Sequence, residues 1–80
     1  MNRTDALHTV QESITEIVPG ADLTALGPDD SFRDALEMDS LDFLRFVETL
    51  SDRTGVPIDD ADTTRLTTLS SAAHFLVTHA

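Results

Sequence analysis

A serine stands between an acidic residue and an apolar run in "EMDSLDFLRFVETL", residues 37–50. Its hydroxyl suits two roles. Ser40 can cap the start of a helix, where its oxygen would accept a hydrogen bond from a backbone N–H. It can also carry a covalently attached phosphate, because the unpaired N–H groups and the dipole at a helix N-terminus favour an anion. The neighbouring Asp39 can hold a metal or a cationic group of a modifying enzyme.

The other polar residues do not form a second candidate site. His8, His74 and His79 show no ligand spacing, and a chain of 80 residues leaves little room for a hydrolase triad with its oxyanion hole. The acidic run "DDAD" is not an EF-hand loop, because its sixth and twelfth positions hold Thr64 and Ser70 instead of glycine and glutamate. The chain has no cysteine, so neither disulfides nor thiolate metal sites are available. We therefore predict no catalytic residues and no bound metal.

The charge of the chain is strongly one-sided. Fifteen acidic residues oppose five basic ones, which gives a net charge of −10. Such a field repels phosphate backbones and anionic lipid, so we expect neither nucleic acid nor a membrane as partner. No apolar run is long enough to cross a bilayer and the N-terminus lacks a signal-peptide core, so we expect a cytoplasmic monomer. A basic protein partner would be attracted, although the acidity can equally serve solubility alone.

Apolar residues recur at helical spacing in three stretches, and glycine and proline separate them. The first helix is predicted over residues 4–18, after a cap at Asn2 or Thr4, and stops at "PG". The second begins at Ser40 and ends near "GVP". The last follows a threonine pair, "TT" at 67–68, and a short segment that Asp59 can cap precedes it.

These elements predict an all-α fold, a bundle of three principal helices plus one short helix with a long loop between helices one and two. The chain has room for one domain, which would span residues 1–80. The loop over residues 20–38 is too long to be structureless in a small domain. We expect its apolar side chains to pack on the core; they are Leu23, Leu26, Phe32, Leu36 and Met38.

The second helix carries apolar residues on two faces when it is turned by 100° per residue. A core stripe about 100° wide would contain Phe43, Phe46, Val47 and Leu50. The nearly opposite side would contain Leu41 and Leu44, set among Arg45, Glu48 and Asp52. The two leucines can pack under the loop or can anchor a partner on an apolar spot with a charged rim.

The stretch "MDSLDFL" resembles the prosthetic-group attachment motif of acyl carrier proteins, whose core is Asp-Ser-Leu. The family has a long first helix, a long loop, the motif at the start of helix two, a short third helix and a final helix. The stretch "GVPIDDADTTRLTTLSSAAHFL" resembles the family's ending. The resemblance covers nearly the whole chain, and it implies an acyl-carrier-like bundle.

The resemblance also implies a function. Ser40 would carry 4′-phosphopantetheine through a phosphodiester, and the thiol of that arm would hold an acyl group as a thioester, which supplies the sulfur that the chain lacks. Asp39 would help a phosphopantetheinyl transferase recognise the site, and Leu41 would be the apolar anchor beside the arm. Leu44 and Glu48 would lie, with Leu41, on the face presented to acyl-loading and acyl-accepting enzymes.

Two residues depart from the family pattern. Glu37 replaces a glycine that is often found two residues before the motif aspartate, and Arg45 replaces an acid that fatty-acid-synthesis members usually carry on the partner face. We therefore predict a stand-alone carrier for a specialised pathway that handles a polyketide, peptide or modified acyl unit. The alternatives are a general fatty-acid-synthesis carrier and an unmodified acidic helical adaptor that binds a basic protein. Arg33 and Arg53 are interpreted as solvated charges.

Overall fold

Helices account for the regular structure of residues 1–79, which are the residues described by this computed structural model. The elements are α1 (Arg3–Ile17), α2 (Phe32–Ala35), α3 (Ser40–Thr54), a 3₁₀ turn (Asp62–Arg65) and α4 (Leu69–His79). This arrangement confirms the all-α bundle with three long helices. None of the described helices combines the length and the apolar character that a membrane span requires.

The ends of the long helices are fixed by local hydrogen bonds. The Asn2 side chain accepts a 2.8 Å bond from the N–H of Asp5 and so caps α1. Gly55 ends α3 in the left-handed conformation, with φ of 71°. Before α4, the Ser71 N–H donates to the Thr68 hydroxyl at 3.0 Å and the Thr68 N–H donates to the Ser71 hydroxyl at 3.1 Å. This reciprocal pair resembles a capping box with serine in place of glutamate.

The connection between α1 and α3 packs on the bundle, as the sequence predicts. Leu26, Phe32 and Met38 are buried, and the N–H of Phe32 donates to the carbonyl of Thr67 at 3.1 Å. The connection also contains a short helix, α2, whose N-cap is Ser31. Four residues are too few to produce a helical period in the sequence, so α2 was not predicted.

The core lies where α1, α3 and α4 meet beneath the connection. The rings of Phe32 and Phe46 pack edge to face, with centroids 5.1 Å apart. Phe46, Val47 and Leu50 are buried, as predicted for the core stripe of α3. Phe43 differs from that prediction, because its ring is only half-buried and packs on the rim of the core. Phe43 lies in the first turn of α3, and the guanidinium carbon of Arg33 lies over its ring, 5.0 Å from the ring centre.

Arg53 is exposed, as expected for a solvated charge, but it is also ion-paired. Its guanidinium donates from α3 to two carboxylates of α1, at 3.1 Å to Glu12 and 2.8 Å to Glu16. The hydrogen bond to Glu16 raises the pKa of Arg53 above its usual value. The pairs are exposed, so their contribution to stability is small and depends on salt.

Candidate functional site

At the N-terminus of α3, one residue caps the helix and the next residue carries an exposed hydroxyl. Asp39 is the N-cap, and its Oδ1 atom accepts a 2.8 Å hydrogen bond from the N–H of Asp42. Ser40 is the first residue of the helix and is exposed. The interpretation of Ser40 as the cap was therefore wrong. Because the aspartate satisfies the backbone, the serine hydroxyl is available at the surface.

Arg33 faces that hydroxyl and is half-buried, which corrects its interpretation as a solvated charge. Its Nη2 atom donates to the Ser40 Oγ at 3.3 Å and its Nε donates to the carbonyl of Met38 at 3.4 Å. The guanidinium carbon lies 5.0 Å from the centre of the Phe43 ring, and the residue is half-buried. The site therefore places a fixed cation beside an exposed hydroxyl.

The turn between α2 and α3 produces this contact. The N–H of Met38 donates to the carbonyl of Arg33 at 2.9 Å, and the N–H of Glu37 donates to that of Asp34 at 3.2 Å. Glu37 itself has φ of 54°. This is a Schellman ending of α2, with Glu37 at the left-handed position that glycine usually occupies. The turn reverses the chain and brings the start of α3 next to the last turn of α2.

The second apolar face of α3 is exposed. Leu41 and Leu44 have 57% and 52% of their surface accessible, so they do not pack beneath the connection. Arg45 and Glu48 are exposed as well. The structure thus brings the four predicted partner-face residues to one accessible side of the helix, adjoining Ser40.

A cleft of about 870 Å³ opens beside Ser40, between α3 and the chain around the 3₁₀ turn. Its walls are cationic, aromatic and aliphatic at Arg33, Phe43, Leu44, Val47 and Ile58, and acidic at Glu48, Asp52, Asp59 and Asp60. A flexible group attached to the serine would have room to lie along this cleft.

The described residues contain no group of three or more side chains placed to hold a metal ion. The site consists instead of one hydroxyl, one guanidinium and an open cleft. Sequence reasoning missed Arg33 because an irregular turn separates it from Ser40, and residues across such a turn share no period. The one available signal was that a rare basic residue lies close before the serine in a strongly acidic chain.

Comparisons with known proteins show the family of the chain. A family model described as "Phosphopantetheine attachment site" matches residues 8–76. The chain is 35% identical over 79 residues to an acyl carrier protein of Rubrobacter xylanophilus, covering 99% of this chain and 96% of the relative. It is 31% identical over 78 residues to an acyl carrier protein of an Exiguobacterium species, covering 98% of each. The chain belongs to the acyl carrier protein family, as a carrier with a covalently attached 4′-phosphopantetheine group and not as a catalyst.

Proposed function

We propose that Ser40 is the residue that carries the 4′-phosphopantetheine arm, and that the chain presents an acyl group on this arm to partner enzymes. The observation that carries the proposal is the exposed hydroxyl at the first position of α3, with Asp39 capping the helix in its place. A phosphodiester on this oxygen would gain from the helix dipole and from the guanidinium of Arg33.

The surroundings of Ser40 fit such an arm. The cleft beside it is open and has apolar as well as charged walls, which leaves room for a long flexible group. The exposed side chain of Leu41 follows the serine directly and provides an apolar contact for the first part of the arm. When attached, the arm supplies the thiol on which an acyl group is held as a thioester, and a chain without cysteine has no other source of it.

Asp39 has a second role in this proposal. Its cap hydrogen bond uses only the Oδ1 atom, and the residue is exposed. The carboxylate can therefore cap α3 and at the same time meet a cationic group of the phosphopantetheinyl transferase. The transferase would recognise a rigid helix start and not a flexible loop.

The partner surface in this proposal consists of Leu41, Leu44, Arg45 and Glu48. Two exposed leucines within a charged rim have the composition of a small protein interface. With a net charge of −10, the chain attracts enzymes with basic surfaces, and their approach should weaken as salt increases.

Within the family, we favour a specialised biosynthetic pathway that handles a polyketide, a peptide or a modified acyl unit. Support for this comes from Arg45, which is exposed in the middle of the partner surface. A cation there repels an enzyme that is built to bind an acidic carrier. The competing proposals are general fatty acid synthesis and an unmodified adaptor, and the second predicts that the chain never gains an arm.

The experiment is intact-mass measurement after incubation with coenzyme A and a broad-specificity transferase. The wild-type chain should gain the mass of one arm. Ser40→Ala should gain none, whereas the matched variant Ser70→Ala should load like the wild type. Loading of Ser40→Ala would show that another residue is modified, and no loading of the wild type would favour the adaptor.

A further inference from the structure

We propose that Arg33 is a positioning residue that binds the phosphate of the arm and directs the arm along the cleft. This inference rests on the proposed attachment at Ser40. It begins from the distance of 3.3 Å between the Arg33 Nη2 and the Ser40 Oγ atoms. A phosphorus atom bonded to Oγ would carry its free oxygens within reach of the same guanidinium.

The guanidinium of Arg33 is held in place before any arm is attached. One face lies over the ring of Phe43, 5.0 Å from its centre, and the Nε atom donates to the carbonyl of Met38 at 3.4 Å. An arginine that is already restrained loses less side-chain freedom when it binds a phosphate. The half-buried ring of Phe43 therefore helps to hold the Arg33 guanidinium in place.

The charge of Arg33 is not cancelled by a neighbour. Among the described residues, the ion pairs involve only His8 and Arg53, and no carboxylate lies within ion-pair distance of Arg33. Arg3, Arg45 and Arg65 also take part in none of these ion pairs, but Arg33 is the arginine that contacts Ser40. A phosphodiester at Ser40 would place an anion into the strongly negative field of the chain, and Arg33 is the cation positioned to offset the repulsion.

The position of Arg33 also sets a direction. It lines the same cleft as Ser40, together with Phe43, Leu44 and Val47. Guanidinium groups bind phosphate through two parallel hydrogen bonds, which fixes orientation as well as distance. A phosphate held on the Arg33 side of the serine would lead the remaining arm past Phe43 into the cleft instead of into open solvent.

The test compares arm-loaded and unloaded proteins of the same variant, so that any cost of the mutation to folding cancels. The variants are Arg33→Gln, Arg33→Lys and the matched control Arg65→Gln, which removes one positive charge from a residue that does not line the cleft beside Ser40. The readouts are the ³¹P resonance of the loaded protein and the denaturant midpoint before and after loading. Intact mass confirms that each protein is fully loaded.

In the wild type and in Arg65→Gln, the ³¹P resonance should differ from that of the free arm, and in Arg33→Gln it should move towards the free value. Arg33→Lys, which keeps the charge but not the planar group, should lie between them. The stabilisation on loading should be larger in the wild type than in Arg33→Gln, by roughly 2- to 5-fold in the folding equilibrium constant, and should shrink at high salt.

Equal ³¹P positions and equal effects of loading in the wild type, Arg33→Gln and Arg65→Gln would overturn the role of Arg33 while leaving attachment at Ser40 intact. A failure of the attachment itself is seen separately, because the wild type would then gain no mass.

Discussion

Asp39 and Asp42 are joined by a 2.8 Å hydrogen bond from the backbone N–H of Asp42 to the Oδ1 atom of Asp39. This bond places the N-cap of α3 one residue before Ser40. The helix therefore does not depend on the serine side chain for its start. A group attached to the serine hydroxyl can be added without breaking a capping interaction, which is what a covalent carrier requires.

The first prediction compares how Asp39 and Ser40 contribute to the free energy of unfolding. Asp39→Ala removes the cap and should lower the free energy of unfolding by ~1 kcal/mol. Ser40→Ala should change it by no more than about 0.5 kcal/mol, because an exposed first-turn residue has no capping role here. Asp39→Asn is the matched control, since asparagine caps as well as aspartate; it should retain stability but load more slowly. Denaturant unfolding and loading rates measure these effects, and equal losses in the two alanine variants would contradict the assignment.

The second prediction concerns the turn that brings Arg33 to Ser40. Glu37 has φ of 54°, a conformation that costs a side chain with a Cβ atom roughly 1–2 kcal/mol. Glu37→Gly removes this cost but increases the freedom of the unfolded chain by ~0.4–1 kcal/mol. The variant should therefore unfold at a higher denaturant concentration, with a net gain of up to ~1.6 kcal/mol.

Glu37→Ala is the control for this effect, because it removes the charge while keeping the Cβ atom. It should show no gain in stability. An equal gain in Glu37→Ala and Glu37→Gly would assign the effect to the carboxylate and not to the backbone. In that case, having Glu37 instead of the glycine often found in the family would not destabilise the backbone.

The third prediction tests the two faces of α3. Phe46 is fully buried and packs on Phe32, so Phe46→Ala should lower the free energy of unfolding by ~3–5 kcal/mol. This is a large part of the stability of a small domain. Leu44 is 52% exposed, so Leu44→Ala should cost less than ~1 kcal/mol. Denaturant melts of both variants decide the question, and a large loss in each would show that Leu44 belongs to the core.

The helical period predicts much of this architecture. Turning α3 by 100° per residue distinguishes the buried Phe46 and Leu50 from the exposed Leu41 and Leu44, because burial on a regular helix follows directly from spacing. Phe43 falls on the predicted core side but remains half-buried. The spacing of residues predicts the side of the helix on which a side chain lies. It does not predict how much of the helix end the rest of the bundle covers.

The contact between Arg33 and Ser40 could not be predicted in the same way. It depends on the Schellman turn at Glu37, and a glutamate at a left-handed position gives no sequence signal for one. The serine itself is singled out by the resemblance of "MDSLDFL" to the attachment motif, because its position alone also fits a plain helix cap. The position of Arg33 beside it becomes known only when the structure of the turn between α2 and α3 is known.

Arg45 provides the last prediction, because it tests which enzymes the carrier serves. It is exposed on the proposed partner surface with Leu41, Leu44 and Glu48, in a chain with a net charge of −10. We infer that it pairs with an acidic group of the cognate enzyme and repels enzymes that expect an acid at this place. A single exposed pair of this kind changes a rate through both encounter and complex stability.

Arg45→Glu should therefore slow acyl transfer to the cognate enzyme by up to about 5-fold, since exposed pairs contribute ~0.2–1 kcal/mol. Transfer to fatty-acid-synthesis enzymes should become faster, because the reversed charge meets their basic surfaces. The wild type, Arg45→Glu and the control Arg65→Glu are loaded with the same acyl arm and compared against both enzyme sets at low and high salt. The control makes the same change in net charge away from α3, so an effect shared by both variants would be a general field effect. Unchanged rates of Arg45→Glu with both enzyme sets would remove the main support for a specialised pathway.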